Sequence, residues 1–95
     1  MIEEKILDDV CETFGMTKNL LRSKFRQREI IDARQTAVLA LRKLGFTQQF
    51  ISEQLNYADH TTVNHLINKR LYNHANNDRI ATEIVNRHKH TPSAI

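Results

Sequence analysis

An all-α fold follows from three features of the 95-residue sequence. Apolar residues recur at three- and four-residue steps in several blocks. No segment shows the apolar–polar alternation of a half-buried strand, and only two Gly and one Pro interrupt the chain. This length supports one small domain, whose shared core is too modest for a deep catalytic cavity. Hydrophobic residues at 40% and charged residues at 26% make the chain too apolar for a disordered tail.

The helices are read in order. Ile2, Ile6, Leu7, Val10, Cys11 and Phe14 trace one helical face ahead of Gly15, so a first helix is predicted over about residues 2–14. Thr17 is placed to cap a short turn through Leu20 and Leu21. Arg22-Ser23-Lys24-Phe25-Arg26-Gln27-Arg28 then sets four cations within seven residues. From about Glu29 to Leu44, the positions Ile30, Ala33, Ala37, Ala40, Leu41 and Leu44 fit a buried stripe that stops at Gly45. Arg28, Gln35 and Arg42 are spaced seven apart, two turns each, and are expected to stack along an exposed, cationic face.

Thr47 suits the N-cap of a short helix carrying Phe50, Ile51 and Leu55. In the connection Asn56-Tyr57-Ala58, Asn56 tolerates left-handed geometry, and Asp59 caps the next helix. That helix turns Val63, Leu66, Ile67 and Leu71 inward and leaves His60, Thr61, Thr62, Asn64, His65 and Asn68 outward. A last amphipathic helix runs from Asn77 through Ile80, Ala81, Ile84 and Val85 to about His88. Residues 1–90 are thus expected to form one domain, and 91–95, with Pro92, a flexible tail.

Several functions are disfavoured. Cys11, the single cysteine, has no disulfide or zinc partner and sits on an apolar stripe, so it reads as a small core residue in a reducing, cytoplasmic setting. No apolar run is long enough to span a membrane, and Met1-Ile2-Glu3-Glu4-Lys5 does not resemble a signal peptide. With glycines only at 15 and 45, a nucleotide-binding phosphate loop is absent. His60 and His65 are five apart and lack the pattern of a metal site; His88 and His90 are the least implausible pair. No acid–base pair, activated nucleophile or cofactor loop is found, so neither catalysis nor a cofactor is expected.

Residues 47–71 carry two short helices and a brief turn, the pattern of a helix-turn-helix whose second helix enters the DNA major groove. Thr61, Thr62 and Asn64 suit base edges: a threonine methyl can meet thymine, and asparagine can pair with adenine. Asp59 could accept from a cytosine amino group. Helical hairpins without a DNA partner share this spacing. The cation run could likewise be a solvated loop, and Asp59 only a cap. Phe25 could be a wedge beside the minor groove, though packing is the commoner fate of such a residue.

The segment Ala58-Asp59-His60-Thr61-Thr62-Val63-Asn64-His65 resembles the Asp-His-Thr-Thr-Val signature of the C-terminal duplex-binding domain of DnaA, the bacterial replication initiator family. Leu20 to Ile30 and Ala33-Arg34-Gln35-Thr36-Ala37 resemble that domain's basic loop and Arg-Gln helix, and Val10-Cys11-Glu12-Thr13-Phe14-Gly15 continues the likeness. The similarity covers about residues 2–90 in order.

The resemblance implies a small helix-turn-helix domain of the Trp-repressor-like, DnaA domain IV-like kind that reads boxes of the TTATCCACA type from both grooves. It implies Arg26 in the minor groove and Asp59, His60 and Thr61 in the major groove, where the reading of the helix itself adds Asn64. Lys24, Arg28, Arg34, Gln35, Arg42, Thr47 and Thr62 are expected to hold phosphates. The turn Asn56-Tyr57-Ala58 stands where the family usually has glycines and an arginine, a difference expected to shift affinity or preference.

The expected partner is therefore double-stranded DNA, bound by one monomer per site, with no nucleotide and no membrane. A chain beginning at Met1 without the family's ATPase and partner-binding domains is expected to occupy boxes without melting DNA, as a competitor at origins or a repressor. The rival reading is a protein-interaction module that keeps the fold and docks another protein through Tyr57, Ala58 and the terminal helix.

Overall fold

The computed structural model of the chain describes residues 2–56, 61–68 and 73–89. Among them lie six helices and no strand: α1 (Ile2–Phe14), α2 (Lys18–Leu21), α3 (Arg28–Lys43), α4 (Gln48–Gln54), α5 (Thr61–Asn68) and α6 (His74–Lys89). The expected 91–95 tail, Leu71 and the turn residues Tyr57 and Ala58 lie outside the described residues.

Helix α1 begins with Glu3 and Glu4, acids that suit the positive end of the helix dipole, and buries Ile6, Leu7, Val10 and Cys11. Its end is a Schellman motif, with Gly15 at a φ of 67°. The Met16 amide donates to Cys11 O at 2.9 Å and the Gly15 amide to Glu12 O at 3.3 Å. Helix α3 ends the same way. Gly45 has a φ of 95°, Phe46 N donates to Leu41 O at 3.3 Å, and Gly45 N donates to Arg42 O at 3.0 Å. Both glycines thus stand where a left-handed residue satisfies otherwise orphaned carbonyls, and Met16 and Phe46 fold back onto the core.

Thr17 and Thr47 cap α2 and α4, each hydroxyl accepting at 3.1 Å from the amide three residues on, Leu20 and Phe50. Asn56 takes the left-handed conformation after α4, with a φ of 61°.

Helix α3 is the axis of the molecule and touches every other helix. It is buried continuously from Asp32 to Leu41, so its covered surface is far wider than the stripe the apolar spacing predicts. Ile6, Leu7 and Val10 of α1, Ile51 and Leu55 of the α4 region, Val63 and Leu66 of α5, and Ala81, Ile84 and Val85 of α6 close around Ala33, Ala37, Val38 and Leu41.

Helix α6 starts three residues before the expected Asn77. Its backbone ladder already begins at Asn73 O, which accepts from Asn77 N at 2.8 Å. The early turn escapes an apolar-period reading because what it buries is polar: Asn77 is 1% exposed. Two polar contacts tie α6 to its neighbours, a hydrogen bond between His88 Nε2 and Asp9 Oδ2 of α1 at 2.6 Å and an ion pair of Lys43 Nζ of α3 with Asp78 Oδ1 at 3.0 Å. Cys11 is buried and free, and burial pushes its thiol above the usual cysteine range, as suits a core residue rather than a nucleophile.

Candidate nucleic-acid interface

The basic segment between α2 and α3 is held from below by two arginines. Arg34 is buried in α3; its Nε donates to Leu21 O at 2.9 Å, and its Nη2 donates to Ser23 O. Ser23 Oγ donates to Leu20 O at 2.6 Å and accepts from Phe25 N at 3.3 Å. Arg22 reaches across to α4, with Nε donating to Gln54 O at 2.8 Å, and pairs with Glu4 Oε2 of α1 at 3.3 Å. The loop base is therefore fixed to three helices, while Lys24, Phe25, Arg26, Gln27 and Arg28 face solvent. Phe25 is 62% exposed.

The second part of the site is the α4–α5 pair. Val63 and Leu66 point into the core, and Thr62, Asn64, His65 and Asn68 face outward, as the helical period requires. Asn64 is not idle: its Oδ1 accepts from Gln48 Nε2 of α4 at 3.2 Å and from Asn68 Nδ2 at 2.9 Å. An adenine contact that needs this oxygen as acceptor must compete with those two amides. Arg42 is exposed, and its Nη1 donates to Phe46 O at 3.1 Å, beside the Thr47 cap. Phe46 stacks on Phe50 with centroids 4.7 Å apart, which stiffens that corner.

Of the expected phosphate ligands the structure buries Gln35 and Arg34, which corrects the exposed face read through Gln35; the expected packing of Phe25 is corrected as well. Gln35 is 0% exposed, and its Nε2 donates to Leu66 O of α5 at 3.0 Å. Residues seven apart do share a helical face, but α5 and α6 cross its middle, so Arg28 and Arg42 remain exposed at its ends while Gln35 is covered. Arg34 is 7% exposed, and its guanidinium serves the loop carbonyls. Phe25 was expected to pack, yet among the described residues it stands 62% exposed.

Lys24, Arg26, Arg28, Arg42, Thr47, Thr62 and Asn64 are all on the surface. Asp59, His60 and the Thr61 side chain lie outside the described residues. The sequence reading missed Ser23, Gln48 and Asn77. Ser23 lay within the basic run and Gln48 beside the Thr47 cap, but nothing local marked either as a contact. The partners of Asn77 are remote in sequence. Among the described residues no group of three or more His, Cys, Asp or Glu is placed to hold a metal, and no helix is long and apolar enough to cross a membrane.

A capped α4, a second helix with small polar side chains outward and a cationic loop pinned beside the same central helix define a helix-turn-helix protein of the DNA-binding class. Comparison with known proteins specifies the class further. The chain belongs to the bacterial DnaA protein helix-turn-helix family, whose model matches residues 3–69. The chromosomal replication initiator protein DnaA of Pseudothermotoga lettingae is 34% identical over 68 residues, which is 70% of this chain and 15% of that protein. The chain thus matches only a small part of that relative's length. No solved structure matches it significantly.

Proposed function

We propose that the chain binds duplex DNA sequence-specifically at DnaA-box-type sites, one monomer per box, and acts by occupancy, without using a nucleotide. Such binding would make it a competitor or regulator of replication initiation or of transcription from promoters that carry boxes. The observation that carries this reading is the family match over residues 3–69, together with a loop whose exposed cations are held on a buried scaffold. Lys24, Arg28, Arg42, Thr47 and Thr62 are the phosphate contacts of this reading, and Arg26 is the minor-groove contact. Asp59, His60, Thr61 and Asn64 are the base contacts. Phosphate contacts would set register and much of the affinity, and the α5 residues would set preference. The rival docking role keeps less of its support, because Ala81, Ile84 and Val85 of the terminal helix are buried in the chain's own core, while Tyr57 and Ala58 lie outside the described residues.

The test is fluorescence anisotropy of a duplex containing TTATCCACA against a scrambled duplex of equal composition, over a salt series. The expected result is preference for the box and affinity that falls steeply as salt rises. Arg26→Ala should weaken box binding, and Thr61→Ala should weaken it by about 1–3 kcal/mol and relax preference. Equal, weak binding to both duplexes, or variants that bind like the parent, would overturn the reading.

A further inference from the structure

A buried chain of amides connects the last helix to the helix that would read bases. Asp32 of α3 is an acceptor only, and its two oxygens are taken by Asn73 Nδ2 at 2.9 Å and Asn77 Nδ2 at 3.1 Å. The carboxylate therefore dictates which way the Asn77 amide faces: its nitrogen points toward α3 and donates its second hydrogen to Gln35 Oε1 at 2.9 Å. Gln35 must then present its oxygen to Asn77 and its nitrogen outward, where it donates to Leu66 O at 3.0 Å. Leu66 belongs to α5 and is buried on its core face, so its carbonyl lies where Gln35 can reach it. Gln35 is 0% and Asn77 1% exposed, so water cannot readily substitute for any link.

We infer that Asn77 and Gln35 are positioning residues for DNA reading. The first turn of α6, which lies beyond the family match at residue 69, sets the pose of α5 through this polarity relay. The inference rests on the DNA-binding reading above. Neither residue touches DNA; each acts by holding the helix that does. A helix free to shift or roll against α3 would keep its phosphate contacts, which tolerate small displacements, but lose alignment with base edges, which do not.

Two variants cut the relay. Gln35→Met keeps the volume and removes the donor to Leu66. Asn77→Ser is milder: its single hydroxyl hydrogen cannot serve both Asp32 and Gln35. The measurements are anisotropy on the TTATCCACA and scrambled duplexes at one salt concentration, and amide hydrogen exchange of the DNA-free protein along α5 and α1. The relay predicts that Gln35→Met loses about tenfold or more in the ratio of box to scrambled affinity, while affinity for the scrambled duplex stays within about threefold. Asn77→Ser loses part of that ratio. Exchange quickens in α5 and not in α1.

A purely structural role would instead speed exchange in both helices and weaken both duplexes together. Folded variants with the parent's ratio and α5 exchange overturn the inference. Should Gln35→Met fail to fold, Asn77→Ser decides alone. A parent protein without box preference would overturn the DNA reading, and with it the assigned purpose of the relay; α5 exchange would still show whether Asn77 and Gln35 hold that helix.

Discussion

Arg34→Met asks whether a buried cation serves the DNA or the loop that would meet it. The guanidinium donates to Leu21 O at 2.9 Å and to Ser23 O, and only 7% of the residue is exposed. A hydrogen bond from a charged donor contributes about 1.5–3 kcal/mol, so losing both at the lower figure costs about 3 kcal/mol. Methionine keeps the aliphatic stem in place, which confines the loss mainly to the polar contacts. For a domain of this size 1 kcal/mol moves Tm by roughly 4–8 °C, so the variant should melt about 12–24 °C below the parent.

A calorimetric or circular-dichroism melt reads that shift. The salt dependence of binding reads the alternative, because each lost phosphate contact reduces the slope of log K against log salt by about 0.9. A variant that melts like the parent and loses about one unit of slope would refute the loop-anchor role and return Arg34 to the phosphate backbone. A large drop in Tm with faster amide exchange at residues 22–27 would uphold it.

Phe25→Ala should change Tm by no more than about 4 °C, since substitutions at exposed positions usually stay within 0.5 kcal/mol; a larger drop would restore the packing role. If the ring wedges beside the minor groove, Phe25→Ala should weaken box binding while Phe25→Leu, still an apolar wedge, retains most of it. The α1–α2 contact predicts a pH profile. Lys18 Nζ lies 2.7 Å from Glu4 Oε1 and 2.9 Å from Asp8 Oδ1. The hydrogen bond from Lys18 holds the Glu4 carboxyl below its ordinary 4.5, and the hydrogen bonds to Glu4 and Asp8 raise the ammonium above 10.5. Glu4's contribution is therefore complete above pH 4.5 and is lost as pH falls through its lowered folded value. That of Lys18 is complete below pH 10.5 and is lost as pH rises through its raised one. Melts of Glu4→Gln should show a flatter acid limb than the parent, and an unchanged limb would assign acid sensitivity elsewhere. The effect is small because the pair is solvent-exposed.

What the sequence made legible is what local chemistry decides. The end of α1 at Gly15, the caps at Thr17 and Thr47 and the left-handed Asn56 each depend on a few adjacent residues. The core positions of α1 and α6 follow from period alone. Gln35 shows where that reasoning stops. Its spacing from Arg28 and Arg42 correctly places it on their face, but whether the face meets water is decided by Asn77, 42 residues along the chain. The early start of α6 was hidden for the same reason, since a buried polar turn looks like a solvated one until its partners are known. Arg34 illustrates the converse of a charge-run argument: within a basic neighbourhood, burial and not charge separates the cation that shapes the surface from those that form it.

That separation bears on how a modest formal charge of +3 could suffice for a polyanionic ligand. Many charges are engaged in ion pairs within the chain. Lys18 and Arg22 pair with Glu4 and Asp8, Lys43 with Asp78, and Arg79 with Glu83. These pairs neutralise acids on α1 and α6 that would otherwise repel DNA phosphates. Lys24, Arg26, Arg28 and Arg42 lie at the surface, Lys24 and Arg26 in the loop and Arg28 at the first residue of α3. Glu29 adjoins that loop in the first turn of α3, where the helix dipole accommodates an acid. At physiological ionic strength charges more than about 8 Å away are largely screened, so an approaching phosphate responds to this local density and not to the net charge. These ion pairs thus do more for the interface than their small individual stabilities suggest: by pairing acids elsewhere, they leave the exposed cations of the loop as a local positive feature for an anionic polymer to meet.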